Sequence, residues 1–426
     1  MLSFSLVVLL LIAILFMGLP VAFSLGGTSL VLILMFDLPM KIVGATIFTS
    51  LESFTILSIP LFVLMSQILL DGRIGDDLFD VMNAWVRHLP GGLAIATILA
   101  CAFFAAITGS GAATAATIGM VAYPAMIERG YDKKFTLGLL AAGGTLGILI
   151  PPSIPLILYG SITEESVGKL FIAGVIPGLV LTTFFVVYAV IKSMRGGFTP
   201  MEKAPWSERF RVTRKNFWGI LLPFIIIGGI YTGAFTPTEA AAVGLVYSLF
   251  ITLVIYRTLS LRDIPKICLR SVTTSCMVAI IIAGAVLFGR VMTLLMIPQK
   301  LTELIINNNF SVLMFLIAMN ILMMILGCVL ETVSIVLLTM PLVTPILHAL
   351  NIDPIWYGIV VTVNMTLALI TPPVGMNLYV INSLRPDIRM GETISGVFPF
   401  LAIMVVFLIL VIAFPGMSTW LPAIMH

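Results

Sequence analysis

TLGILIPPSIP, residues 145–155, sets three prolines inside a strongly apolar run. TLALITPPVGM, residues 366–376, repeats the interruption 221 positions later. A proline removes a backbone N–H, and its ring strikes the carbonyl one turn back. Each Pro-Pro pair therefore breaks a helix and leaves carbonyl oxygens without donors. In lipid those oxygens would be costly. Buried against a site, they can serve a cation.

The surrounding composition puts both breaks at membrane depth. The 426 residues are 60% hydrophobic and 10% charged, whereas soluble domains carry about 25% charged residues. Apolar runs recur along the whole chain, for example at 6–17, 93–106, 171–190 and 400–414. The chain reads as a multi-span membrane protein. The opening MLSFSLVVLLLIAILFMG lacks a basic n-region and a small-residue cleavage site, so it reads as a retained first span. A net charge of +3 gives no reason to expect nucleic acid. The four cysteines are dispersed through apolar stretches and form no CxxC, and the three histidines form no metal cluster.

Lys and Arg set the expected orientation. The longest polar stretch, residues 192–216, holds seven basic residues against Glu202 and Glu208 and is placed in the cytoplasm. Residues 128–134, 256–270 and 385–389 are basic too and join it. TEESVGK, residues 163–169, is placed outside. Five crossings precede the central loop, at about 3–19, 21–36, 53–71, 135–162 and 170–191. Residues 91–128 do not fit as a crossing. They form two apolar arms joined by TGSGAAT, with Arg87 and Arg129 on the same side, and read as a re-entrant hairpin. Residues 76–89 alternate charged and apolar positions at helical spacing and read as an interfacial amphipathic helix, as do residues 259–270.

Sliding the chain by 221 aligns Pro124 with Pro345, Asp132 with Asp353, Thr145 with Thr366, Leu146 with Leu367 and both Pro-Pro pairs. That gives six identities in the 33 positions from 120 to 152, where background usage gives about two. A shift of 217 aligns Pro20 with Pro237, Gly27 with Gly244, and GRI with GRV around Arg73 and Arg290. The expected fold is an all-α polytopic membrane protein of two repeats, 1–210 and 217–426. Their hairpins fall at about 91–128 and 311–348, and their broken helices at 150–152 and 371–373. Five spans per repeat is an odd number, so the second repeat is inverted and both chain ends lie outside. Inverted repeats with broken helices mark secondary transporters.

The candidate site follows from the tips and the breaks. Ser110 can cap the descending arm of the first hairpin and aim free N–H groups at a carboxylate, with Thr114 one turn further. Glu331 falls at the matching position of the second tip, followed by Thr332 and Ser334. An acidic group there suits a helix N-terminus or a sodium ion rather than an acidic substrate. Thr108 and Gly109 belong to the first tip. Opposite it stand Gly143, Gly144, Thr145 and the carbonyl of Ile150. Opposite the second stand Asn364, Met365, Thr366 and Thr371, with Asn377 just past the break. Neutral oxygens without thiolates favour sodium, in two or more sites. The substrate candidates are Ser110, Thr114, Thr332, Ser334, Asn364, Asn377 and Arg290. The sodium candidates are Thr108, Gly109, Gly144, Thr145, Ile150, Glu331, Met365, Thr366 and Thr371. Arg73 and Arg290 also fit snorkelling anchors, and small tip residues also fit plain helix packing.

GSGAATAATIG at 109–119, AAGGTLGILIPPSIPLILYG at 141–160, FTPTEAAAVG at 235–244 and TPPVGMNLYV at 371–380 resemble the DctM-like large membrane subunit of tripartite ATP-independent periplasmic (TRAP) transporters. The resemblance covers the whole chain. It implies sodium-driven uptake of an organic acid across a bacterial inner membrane by an elevator motion. It also implies two partners, a small four-helix membrane subunit (here expected as a separate chain) and a periplasmic substrate-binding protein. Sialic acid and C4-dicarboxylates both remain open as substrates; sialic acid is put first, though no residue carries that choice. A stand-alone sodium- or proton-coupled carboxylate carrier is the alternative. An intramembrane hydrolase is disfavoured, because a nucleophile elbow around TGSG would need glycine where Thr108 stands. A channel is disfavoured by a single central site between two tips.

Overall fold

The computed structural model describes residues 2–196 and 200–424. Residues 197–199 of the central polar stretch, Met1, Met425 and His426 lie outside the described residues. All regular structure described is helical. Leu2–Phe16 (α1) and Val21–Met35 (α2) open the chain, followed by Lys41–Leu51 (α3), Ser58–Asp71 (α4) and Ile74–Val86 (α5). Gly92–Thr108 (α6) and Gly111–Glu128 (α7) form the first hairpin. Lys133–Leu149 (α8) and Ile154–Thr163 (α9) flank the first Pro-Pro pair, and Val167–Arg195 (α10) leads to the central loop with Trp206–Lys215 (α11).

The second half begins with Phe217–Tyr231 (α12) and Pro237–Phe250 (α13), which continues as a π-helical turn to Ile255. Ile264–Leu294 (α14) is a long span and Ile297–Asn307 (α15) a short arm. Val312–Gly327 (α16) and Thr332–Ala349 (α17) form the second hairpin. Pro354–Ala368 (α18) and Met376–Asn382 (α19) flank the second Pro-Pro pair, before Met390–Ala413 (α20) and Gly416–Ala423 (α21). Among the described residues, six segments are long and apolar enough to cross a bilayer, and the pair α4–α5, bent by 66°, makes a seventh.

Local chemistry explains the boundaries. Asp132 accepts the Phe135 N–H at 2.8 Å and caps α8. Asp353 accepts the Ile355 N–H at 2.8 Å and caps α18. The aligned aspartates thus do the same work: each satisfies donors that a helix start leaves open. Thr236 and Glu239 close a capping box on α13. The region around α8 is the core: the segment Lys133–Thr163 is 94% buried over its most apolar window, and α8 packs on α6, α7 and α20.

Three boundaries differ from the sequence reading. The crossing expected at 53–71 is joined by a separate helix, α3, and the chain turns between them at 52–57. Residues 259–270 do not make a separate amphipathic helix. Pro265 sits at the first positions of α14, where its missing N–H costs nothing, and the helix runs on uninterrupted. The second short arm is α15, with apolar Ile297 and Pro298 buried and Lys300 and Glu303 outward. The expected arm at 76–89 is α5. The breaks are also wider than the proline pairs: residues 150–153 are non-helical in the first and 369–375 in the second.

The basic segments are tied together by ion pairs. Arg87 meets both carboxylate oxygens of Glu208 at 2.8 and 3.0 Å. Lys133 meets Glu392 at 2.8 Å, Lys215 approaches Asp77 at 4.0 Å, and Arg270 pairs with Asp71. Arg209, 4% exposed, lies over both Trp85 and Trp206 at 5.6 and 5.3 Å from the ring centres. The central loop helix α11 is therefore clamped onto the arm α5.

Candidate functional site

The first tip is built by a change of backbone hand. Thr108 ends α6, and Gly109 turns left-handed at φ +61°. Ser110 is extended, and its hydroxyl accepts the Ala113 N–H at 3.4 Å to start α7. A Cβ on Gly109 would stand 2.4 Å from the Pro152 carbonyl oxygen, so the tip rests directly on the first break. A Cβ on Gly147 would stand 2.5 Å from the Ser110 carbonyl. Only glycine permits these approaches.

Hydroxyls converge behind this tip. Thr108 Oγ1 and Thr114 Oγ1 stand 3.1 Å apart. Thr108 also contacts the Phe104 carbonyl at 3.1 Å and Thr114 the Ser110 carbonyl at 2.9 Å. Two hydroxyl protons face three contacts, so one oxygen–oxygen approach lacks a proton and presents lone pairs. Ser66 donates to the Thr108 carbonyl at 3.1 Å and anchors the tip to α4. No signal in the sequence set Ser66 apart from other small polar residues.

The broken helices treat their aligned threonines alike. Thr145 donates to the Ala142 carbonyl at 2.7 Å and Thr366 to the Val363 carbonyl at 2.6 Å. Both are fully buried. Each hydroxyl spends its proton on its own helix and keeps its oxygen lone pairs for another partner. The two breaks then diverge. In the first, Ser153 donates to Ile148 O at 2.6 Å, while Pro151 leaves Gly147 O without its helical donor. In the second, the Asn377 N–H reaches Leu369 O at 3.0 Å, and Thr371 Oγ1 donates to Leu367 O at 2.7 Å. Ile150 caps α8 in extended conformation and packs its side chain toward Gly178.

Asn377 joins the two halves. It is fully buried, and its Nδ2 donates to Ala141 O at 3.0 Å. Its Oδ1 has no partner and lies 3.5 Å from the position a Cβ on Gly111 would take. Gly144 faces the same point, with Asn377 Nδ2 2.9 Å from its would-be Cβ. Gly111, Gly144 and Asn377 therefore meet at one spot, where α7 starts and its free N–H groups lie. Gly143 is turned away, toward Cys101 on α6.

The second tip is looser in its bonding. Glu331 stands at the start of α17, as Ser110 stands at the start of α7, but its carboxylate takes no backbone N–H of that helix. Thr332 and Ser334 are buried behind it. Cys328 Sγ contacts the Pro372 carbonyl at 3.6 Å, so this tip rests on the second break. Met365 is buried in α18. Asn364 faces the ascending arm instead of the tip: its Nδ2 donates to Asn320 O and Oδ1 at 3.0 and 2.8 Å. Asn320 went unnoticed in the sequence, although a carboxamide inside the apolar run 312–327 is the sort of residue that marks a site. Arg290 is not brought to either tip. Its neighbour Gly289 packs on Pro341, nine positions and about 13 Å along α17 from Thr332.

Paired hairpin tips resting on paired helix breaks, inside a bundle of apolar spans, define a polytopic membrane transporter. The fold is similar to the YdaH transporter of Alcanivorax borkumensis, with a TM-score of 0.63 at 13% identity over 88% of this chain and 87% of that one. Residues 8–417 match the model of the tripartite ATP-independent periplasmic transporter, DctM component, and the chain belongs to that family. It is 43% identical over 400 residues to the C4-dicarboxylate TRAP transporter large permease protein DctM of Pseudomonas aeruginosa, covering 94% of this chain and 93% of that one. It is 34% identical over 412 residues to the sialic acid TRAP transporter large permease protein SiaM of Vibrio cholerae, covering 96% of each. The protein is thus a transport permease and not an enzyme. Membership brings a small membrane subunit and a periplasmic binding protein as partners.

Proposed function

We propose that this chain carries a small organic acid, of the C4-dicarboxylate class, across the inner membrane together with sodium. The observation that carries this reading is the meeting of Gly111, Gly144 and Asn377 at the start of α7. A carboxylate there would gain free N–H groups, a positive helix end and close backbone approach. The Asn377 amide could turn to donate to it. The dicarboxylate class is preferred to sialic acid because identity to the dicarboxylate permease, 43%, exceeds that to the sialic acid permease, 34%.

Sodium fits the oxygens around the tips. The hydroxyl lone pairs of Thr108, Thr114, Thr145 and Thr366, and the Gly147 carbonyl, are neutral hard donors. Near the second tip, Glu331 adds a negative charge that a cation would balance. Sodium bound beside the tips would stiffen them around the acid, so that an empty or half-loaded site resists crossing. In this reading the halves are inverted repeats, the Lys- and Arg-rich end with α11 is cytoplasmic, and the chain ends are periplasmic. The tips, the breaks and α8 move as one body against α5 and α15, in the manner of an elevator.

The test is uptake of labelled succinate into proteoliposomes holding this subunit, the small subunit and the binding protein. Sodium-dependent accumulation is expected, with sialic acid as a poor competitor. Uptake driven equally well by a proton gradient without sodium would defeat the coupling.

A further inference from the structure

A sizeable cavity lies away from the tips. Its volume is about 900 Å³, and it is walled by α3 and α14 on one side and by α9 and α17 on the other. It follows α17 from Leu337 to His348, about 16 Å of helix, and so begins close behind the second tip. Ser161 and His348 place its far end beside the loops after α9 and α17, the side that carries residues 163–169.

The one formal charge in its lining is positive. Arg290 and His348 line it, and no aspartate or glutamate does; Glu52, next to Ser53 in the chain, is not a lining residue. Arg290 makes neither an ion pair nor a hydrogen bond among the described residues. Arg73, its partner in the 217-residue alignment, has Asp76 close enough to feel its charge. Arg290 is exposed where it lines the cavity, so its N–H donors stand open to an anion. Seven hydroxyls add polar surface, among them Thr344, whose proton rests on Met340 O at 2.8 Å and can swing to a ligand. Gly289 brings α14 close against Pro341, where an added Cβ would stand 3.1 Å from the proline ring, and this contact sets where Arg290 enters.

We propose that this cavity is an anion vestibule, in which Arg290, assisted by His348 and Thr344, captures a carboxylate of the incoming acid before the tips receive it. The proposal rests on the reading that the chain carries organic acids. A guanidinium matches a carboxylate in geometry, with two parallel N–H donors. The capture site and the tip site would act in sequence: the first governs how readily acid enters, the second how it couples to sodium.

Two measurements test it. In proteoliposomes with both partners, Arg290→Gln is expected to raise the KM for succinate roughly tenfold, the scale of one lost charge-assisted hydrogen bond. The sodium concentration for half-maximal uptake should stay unchanged. Arg290→Lys should recover part of the loss and His348→Gln should give a smaller one. Separately, Thr344→Cys in a cysteine-free chain is treated with anionic and cationic methanethiosulfonates of similar size. The anionic reagent should react faster, Arg290→Gln should erase the preference, and succinate should slow both reagents only where Arg290 is present. Reaction indifferent to reagent charge, or an unchanged KM in Arg290→Gln, overturns the vestibule. Absence of any acid uptake by the unaltered complex would instead overturn the functional reading, while the reagent preference would still report on the cavity.

Discussion

Asn377 Nδ2 donates to Ala141 O at 3.0 Å across 236 positions of chain. A residue just past the second break thereby completes the surroundings of the first. Its Oδ1 is left without a partner in a fully buried position, which a soluble core would not tolerate cheaply. Asn377→Leu should cost substrate affinity by about 1–2 kcal/mol, one lost hydrogen bond to a charged group, read as a rise in KM. Asn377→Asp should cost more, because a carboxylate there opposes an anionic substrate. Equal or better succinate uptake in Asn377→Asp would remove this residue from the acid site.

Thr145 and Thr366 give a paired test of the sodium reading. Both donate to the carbonyl three residues back. Valine keeps the shape and deletes the oxygen. Either substitution should raise the sodium concentration for half-maximal uptake, and the double variant should raise it further. If sodium titrations of both single variants match the unaltered protein, these oxygens do not hold the ion.

Gly109 tests the contact between tip and break. Its φ is +61° and its would-be Cβ lies 2.4 Å from Pro152 O, whereas Gly130 at φ +77° has nothing within 4 Å. Gly130→Ala should cost only the left-handed strain, about 1 kcal/mol of stability, with transport kept. Gly109→Ala adds a backbone clash and should abolish uptake even where the protein is still inserted and monodisperse. Normal uptake by Gly109→Ala would mean that the tip does not need this contact.

The expected topology can be read by labelling. Single cysteines at positions 165 and 205 in a cysteine-free chain should react with an impermeant maleimide from opposite faces, 165 from the periplasm. Labelling of both from one face would break the inverted count of five spans per half.

What the sequence displayed was whatever the backbone itself enforces. Proline pairs end helices in any surroundings, so both breaks were visible. Asp132 and Asp353 start helices by local hydrogen bonds, and the glycine-serine tip carries its own turn chemistry. The split between α3 and α4 left no such mark, since ESFTIL at 52–57 contains neither glycine nor proline. Residues 259–270 misled, because charged and apolar positions alternate at helical spacing at the polar start of a long span as they do in a separate arm. The crossing of Asn377 into the first half, the anchoring of Thr108 by Ser66 and the turning of Asn364 toward Asn320 are tertiary. They depend on which helices become neighbours, and periodicity does not encode that.

Ser110 and Glu331 separate the two tips. They hold equivalent helix-start positions, yet one is neutral and capping and the other is charged and not. The Ser110 hydroxyl accepts a long 3.4 Å contact from Ala113 N, so the cap is loose and the helix end stays open to a ligand. Ser110→Ala should weaken substrate capture by about 1–2 kcal/mol and leave the sodium titration near its original midpoint. Glu331→Gln removes a charge from a half-buried place among apolar flanks and should shift the sodium titration or loosen coupling. Succinate uptake against sodium concentration, measured for both variants in the full complex, gives a two-by-two outcome. Should Glu331→Gln leave the sodium dependence intact in a folded protein, Glu331 serves only the positive end of α17. Should Ser110→Ala move only the sodium midpoint, the first tip belongs to a cation, and the acid must sit nearer Asn377 and Gly144 than the start of α7.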